Sequence, residues 1–277
     1  MERQEVIGII EQALREDLGD RGDITTQLTV PEGRRGKGEM IVKEDGVICG
    51  LCVAGWVFEV VGGAVLHPKV KDGVTVKSGD VVAIVEGSLS SILIGERTAL
   101  NFLQRMSGIA TLTSKFVSAV NGTGIKILDT RKTTPTLRLL EKYAVRCGGG
   151  HNHRFGLFDY ILIKDNHIRA AGGITQAVER ALMGRPQGIG IEVEVKTIEE
   201  LVEVLRLDVD RVMLDNFTPE EVRRAVDIIG GKVEVEVSGG ISLDNIRDYA
   251  IPGVDYISVG RLTHSARALD MSLDIRF

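Results

Sequence analysis

The sequence predicts an α/β chain, an incomplete or TIM-like α/β barrel preceded by a smaller α+β sandwich domain, and three observations carry that prediction. From Ile125 onward, six short β-branched runs alternate with helical stretches. Each of those runs ends in polar or glycine residues. Before them, Met40 to Glu86 breaks into short runs separated by Gly, Asp and Ser turns. At 277 residues either two domains or one barrel of about 250 residues would fit. The change of character sets the expected division: an α+β domain over 1–107, a barrel over 108–269, and a tail over 270–277 packing on the first domain.

At the start, Val6, Ile9, Ile10, Ala13 and Leu14 recur at helical spacing with charges opposite. That is an amphipathic helix and not a signal peptide, and it points to the cytoplasm. MIVK from Met40, VLHPKV from Val65, VTV from Val74 and VVAIVEG from Val81 are separated by turns at Gly46, Lys71-Asp72-Gly73 and Ser78-Gly79-Asp80. These read as antiparallel strands. The hairpin is similar to those of biotinyl and lipoyl carriers, but no lysine flanked by methionines sits at the turn. The apolar stretch Val47 to Leu66 contains Glu59 and four glycines, so it reads as a buried helix bounded by turns, not a membrane span. A helical run follows over Leu93 to Val120, with Gly108 expected to break it into two helices.

The six strands are IKIL from Ile125, YILIK from Tyr160, IEVEV from Ile191, RVML from Arg211, VEVEV from Val233 and YISV from Tyr256. Helices are expected at Thr175–Met183, Ile198–Leu205, Pro219–Ile229 and Ser242–Tyr249, each opening with a residue suited to a cap or first turn. Eight strands would complete a TIM barrel. Either strands near Val145 to Asn152 escape this reading, or the barrel is smaller. A doubly wound sheet would gather its strand ends at a switch point, whereas polar residues after all six favour a ring.

A net charge of −5 with 26% charged residues of both signs excludes a general nucleic-acid or anionic-membrane surface. Three cysteines are an odd number that fits thiols in a reducing compartment. Cys49-Gly-Leu-Cys52 lacks the two further ligands of a zinc site. Positive charge must therefore be local, and Arg131, Lys132, Arg138, Arg154 and Lys164 supply it in or near the strand-end loops. They do not alternate with acids as surface ion pairs do, which indicates an anion site. The planar arginine fork suits a dicarboxylate.

Glu194 and Asp215 end adjacent strands, and two acids in a cationic cleft call for magnesium bridging to a diphosphate. Glu192 shares a strand face with Glu194, but Glu194 is nearer the strand end and is preferred. Ser238-Gly239-Gly240 and Gly260, after the last two strands, offer unhindered N–H groups to a phosphate. In His151-Asn152-His153-Arg154 no third metal ligand is suitably spaced, so His153 beside Arg154 reads as a substrate contact. A Schiff-base aldolase using Lys164 is the rival chemistry, disfavoured by the acids and the phosphate turns.

These residues carry a family resemblance over nearly the whole chain. EDLGDRGDITT from Glu16, ERTALNFLQRMSGIAT from Glu96, LDTRKTTPTLRLLEKYAVRCGGGHNHR from Leu128, ILIKDNH from Ile161, EVEV from Glu192, MLDNF from Met213, VSGGIS from Val237 and ISVG from Ile257 together resemble quinolinate phosphoribosyltransferase, the carboxylating nicotinate-nucleotide pyrophosphorylase. The resemblance implies transfer of phosphoribose from phosphoribosyl diphosphate to quinolinate with decarboxylation, in NAD synthesis. It also implies roles: Arg131, His153, Arg154 and Lys164 for the two carboxylates, and Lys132 for phosphoribosyl diphosphate. Glu194 and Asp215 would take magnesium and ribose, and Ser238, Gly239, Gly240 and Gly260 the 5-phosphate. Arg97 would reach in from a partner subunit, so a homodimer or higher homo-oligomer is expected. Lys132, Lys164, Glu194 and Asp215 would carry catalysis, with no covalent nucleophile.

Overall fold

The computed structural model describes residues 1–276. In chain order the first elements are α1 (Arg3–Leu18), α2 (Ile24–Thr29), β1 (Arg35–Val42), β2 (Gly46–Val47), α3 (Leu51–Val61), β3 (Ala64–Pro68), β4 (Thr75–Val76), β5 (Val81–Ser88) and α4 (Leu89–Ala119). There follow β6 (Lys126–Leu128), α5 (Arg138–Cys147), β7 (Ile161–Ile163), α6 (Asp165–Ala171), α7 (Ile174–Gly184), β8 (Ile191–Val195), α8 (Ile198–Val204), β9 (Arg211–Asp215), α9 (Pro219–Ile229) and β10 (Glu234–Ser238). A 3-10 turn (Ile246–Tyr249), β11 (Tyr256–Ser258), α10 (Arg261–His264) and β12 (Met271–Arg276) complete the chain.

One compact unit gathers Met1–Ser114, Thr133–Gly149 and the segment from Leu262 onward. Its sheet has the order β12-β1-β5-β3, with every pairing antiparallel. Val6, Ile10 and Leu14 of the amphipathic α1 are buried. In α3, Leu51, Val53, Ala54, Val57 and Phe58 are buried. Gly50 opens that helix at φ 104°. The Asp72 carboxylate accepts the Gly50 and Leu51 N–H groups at 3.0 and 3.1 Å, satisfying donors that a helix start leaves orphaned. Among the described residues no helix is long and apolar enough to cross a membrane.

One expectation is corrected here. Helix α4 runs unbroken for 31 residues, so Gly108 does not break it. A β-carbon at Gly108 would overlap the Arg267 carbonyl, so the glycine serves close approach of the 262–276 segment. The first compact unit draws on three separate stretches of sequence. Arg105 on α4 pairs with Glu141 Oε1 on α5 at 2.7 Å and donates to the Thr263 and Ala266 carbonyls. One guanidinium thus joins three stretches of sequence. Strand β12 pairs with β1 from Lys37↔Arg276 to Val42↔Met271. Phe277, the last residue of the expected tail, lies outside the described residues.

The second unit spans Lys115–Lys132 and Gly150–Arg261. All six predicted strands form one sheet, ordered β6-β11-β10-β9-β8-β7, with every pair parallel. Parallel pairing brings the strand ends to one edge, as in α/β-barrel enzymes. The stretch near Val145 to Asn152 contributes a single parallel bridge, Leu128↔His151, because its first part belongs to α5. The expected helix at Ser242–Tyr249 is a 3-10 turn over Ile246–Tyr249. Asn245 explains the shortening: its amide accepts the Ser242 N–H at 2.8 Å and donates to the Gly240 carbonyl at 3.1 Å, local bonds that compete with a helix.

Candidate active site

The strand ends of the second unit surround a cleft of about 650 Å³. Arg131, Lys132, His153, Arg154, Lys164, Glu194, Asp215, Ser238, Gly239 and Gly240 all line it, so residues more than a hundred positions apart in sequence share one cavity. Gly260 follows β11 in the same unit but is not among the lining residues. Arg97 lies on α4 in the other unit, its side chain 61% exposed beside Glu96.

The cationic wall is built on a buried acid. Asp129, at the end of β6, is fully buried and accepts the Asn152 amide at 2.5 Å and the His153 backbone N–H at 2.9 Å. The Asp-Thr-Arg-Lys and His-Asn-His-Arg runs are therefore two halves of one structure. Arg154 donates its backbone N–H to His153 Nδ1 at 2.6 Å and its guanidinium to the Tyr160 carbonyl at 3.3 Å. Burial, and then the charge of Arg131, lower the Arg154 pKa. Two guanidinium groups crowded together in this way favour an anion between them.

Lys164 Nζ lies 2.9 Å from Glu194 Oε2, and the Glu194 side chain is only 8% exposed. Burial and then the Glu194 charge push the Asp215 carboxyl up, so the two acids repel and would gain from a cation. Gly239 and Gly240 have φ of 98° and 64°, and a β-carbon on Gly239 would overlap the Asn216 amide. Only glycine fits there.

Beneath the walls lies a charged floor that spacing in the sequence did not reveal. Glu192 on β8 and Glu236 on β10 are fully buried and converge on His153, whose Nε2 lies 3.0 and 3.4 Å from their Oε2 atoms. The third and fourth ligand-type groups near the His-x-His run thus come from distant strands, and by distance the three side chains could hold a metal. Arg211 Nη1, 3.3 Å from Glu236 Oε2, already supplies positive charge there. Its guanidinium stacks 3.9 Å from the Tyr256 ring centroid. The period-two pattern marks these acids as inward-facing, yet the same pattern describes an acid that merely ends a strand.

Burial raises Glu192 to about 7, and burial with the neighbouring Glu192 charge raises Glu236 to about 8. Both folded values exceed the usual 4.5, so between about pH 4.5 and about pH 8 the folded chain binds more protons than the unfolded one. Stability from this pair therefore falls as pH rises through that window. Glu192→Gln/Glu236→Gln should flatten this slope, so that the Tm difference between variant and parent grows with pH. Parallel Tm curves over that range would contradict the assignment.

Sequence models of two families match: "Quinolinate phosphoribosyl transferase, N-terminal domain" over residues 23–107, and the corresponding C-terminal domain over 109–274. The chain is 47% identical to the "Nicotinate-nucleotide pyrophosphorylase [carboxylating]" of Mycobacterium leprae, over 96% of this chain and 95% of that protein. It also superposes on NadC from Streptococcus pyogenes with a TM-score of 0.96 at 40% identity, covering 100% of this chain and 98% of the other. With the nicotinate-nucleotide pyrophosphorylase of Francisella tularensis the TM-score is 0.95 at 42% identity, with 100% and 98% covered.

Proposed function

Because the chain belongs to the quinolinate phosphoribosyltransferase family, we propose that the strand-end cleft is where it carries out that family's reaction. The enzyme transfers phosphoribose from phosphoribosyl diphosphate to the ring nitrogen of quinolinate with loss of the 2-carboxylate. The products are nicotinate mononucleotide, carbon dioxide and diphosphate, in NAD synthesis. The observation that supports placing the reaction here is the set of groups that line one cavity: guanidinium and ammonium groups, two strand-end acids and a glycine turn.

In this reading Arg131, His153, Arg154 and Lys164 hold the quinolinate carboxylates, and Lys132 meets the phosphoribosyl diphosphate. Ser238, Gly239 and Gly240, with Gly260 on the next loop, receive the 5-phosphate through backbone N–H groups. Glu194 and Asp215 fit magnesium, since Asp215 is raised partly by Glu194 and the pair lines the cleft beside the cationic residues. Bound there, the ion would neutralise charge developing on the departing diphosphate. The residues orient quinolinate so that its ring nitrogen faces the ribose carbon, and the cationic wall stabilises the carboxylates as the nitrogen becomes a pyridinium. That pyridinium accepts the electrons of the departing carboxylate, so no further cofactor is required.

Incubation with quinolinate, phosphoribosyl diphosphate and magnesium should yield nicotinate mononucleotide and carbon dioxide, with nicotinate inert as a substitute. Turnover of nicotinate, or no carbon dioxide, would count against the assignment of the arginines to a dicarboxylate. We also place the enzyme in the cytoplasm as a homodimer or larger homo-oligomer, with Arg97 supplied to the cleft by the partner subunit. Mixing Arg97→Ala with Arg154→Ala protein should then restore part of the activity that each lacks. No recovery after verified subunit exchange would refute the shared site.

A further inference from the structure

The three cysteines take no part in the strand-end cleft, yet two of them meet. Cys49 is buried just before α3, and Cys147 is half-buried at the end of α5. The Cys49 thiol donates to the Cys147 sulfur. An oxygen of Asp72 completes the group: it and the two sulfurs lie within 4.8 Å of one another. All three residues belong to the first compact unit.

Asp72 is held in place by donors fixed in the fold. The Gly50 and Leu51 N–H groups reach it at 3.0 and 3.1 Å, and the Tyr143 hydroxyl donates to it at 3.0 Å. A carboxylate offers about four lone-pair positions, so three donors orient it and leave one for a further partner, as the outer ligands of metal sites do. The cluster is poorly balanced as it stands. Burial, and then Cys147 and the Asp72 charge, push the Cys49 thiol up. The Cys49 thiol lowers Cys147, while burial and Asp72 oppose that. A disulfide would use only the two sulfurs and gain nothing from the carboxylate, whereas a dication engages all three groups. Two sulfurs and one oxygen suit zinc, which binds them at about 2.3 and 2.0–2.2 Å. Tetrahedral angles at those lengths place ligand atoms about 3.4–3.8 Å apart, so closure requires only a small contraction.

We propose that Cys49, Asp72 and Cys147 form a zinc-class metal site outside the catalytic cleft, with water in the fourth position. The ion would tie the entry to α3, the turn at Asp72 and the end of α5 together. Asp72 and Cys147 are only partly buried, which gives the metal a path in. A position left to water makes the ion exchangeable and not a condition of folding. Cys52, in the first turn of α3, stands outside the set of three. The Cys49-Gly-Leu-Cys52 run thus supplies one ligand, and the others come from distant sequence, where spacing gives no zinc signature.

The test uses the full chain, reduced, freed of metal and shown by thiol titration to have its three cysteines free, with cobalt(II) as a visible stand-in for zinc. One equivalent should produce thiolate-to-cobalt charge-transfer absorption, zinc(II) should abolish it by displacement, and saturating zinc(II) should raise the Tm by about 5 °C. Cobalt at Glu194 and Asp215 would have no sulfur ligand and gives no such absorption. Cys147→Ser, at a partly exposed position, should remove the absorption while the metal-free Tm stays near that of the parent. Asp72→Asn, which keeps an oxygen for the α3 N–H groups, should weaken cobalt binding about tenfold or more. Cys52→Ser should bind within about threefold of the parent. No charge-transfer absorption in the parent with its thiols free would overturn the site. So would absorption that survives in Cys147→Ser, or that is lost equally in Cys52→Ser.

Discussion

Lys164→Ala is expected to lower kcat/KM for quinolinate by about a thousandfold, the scale set by removing a preorganised charge from a closed active site. Its Nζ is 2.9 Å from Glu194 and its side chain is 43% exposed, so the loss should appear chiefly in activity, with a smaller effect on folding. Glu194, nearly buried, would lose its ion-pair partner, and the cleft would lose the cation beside its acid pair. Lys164→Arg should recover about tenfold of the loss, since it restores charge without the point geometry of an ammonium. Steady-state kinetics with both substrates decide the matter, and a loss below about tenfold would remove Lys164 from the machinery. Borohydride added during turnover should not inactivate the enzyme, which separates this role from a Schiff base.

The largest stability effect is expected at Arg105. Its guanidinium bonds Glu141, which is only 1% exposed, the Thr134 hydroxyl and two carbonyls of the 262–276 segment. Arg105→Ala leaves a buried carboxylate without its counter-charge, a loss of about 3–5 kcal/mol. In a chain of this size that corresponds to a fall in Tm of roughly 10 °C. Arg105→Met/Glu141→Leu, which removes both charges, should unfold at a higher temperature than Arg105→Ala alone. A shift under about 1 kcal/mol by urea titration of the single variant would contradict the role.

How much of this was legible in the sequence depended on whether the cause was local. The six parallel strands were readable because β-branched runs of three to five residues with polar ends leave a local pattern. Arg131, Arg154, Glu194 and Asp215 could be placed at strand ends for the same reason. Gly108 was misread because a helix breaker and a point of close contact look identical in one dimension. Arg105 carried no signal: an arginine in a long helix usually faces water, and its partners lie 36 and about 160 positions away. The floor was hidden differently. Glu192 and Glu236 obey the period-two pattern, but which inward positions hold acids that meet a histidine is decided by sheet order, which strand sequences do not state. Asp129 likewise shows its purpose only when the loop at Asn152 returns to it.

The antiparallel pairing of β12 with β1 has a consequence for biosynthesis. The free edge of β1 meets its mate only when residues 271–276 have left the ribosome, a separation of more than two hundred residues whose closure is slow and entropically unfavourable. The parallel sheet, by contrast, draws on a nearly continuous stretch and can assemble while translation is still under way. A nascent chain stalled before Met271 would therefore carry a paired parallel sheet and also an unpaired hydrogen-bonding edge, the kind of surface that chaperones shield and that seeds aggregation when they do not.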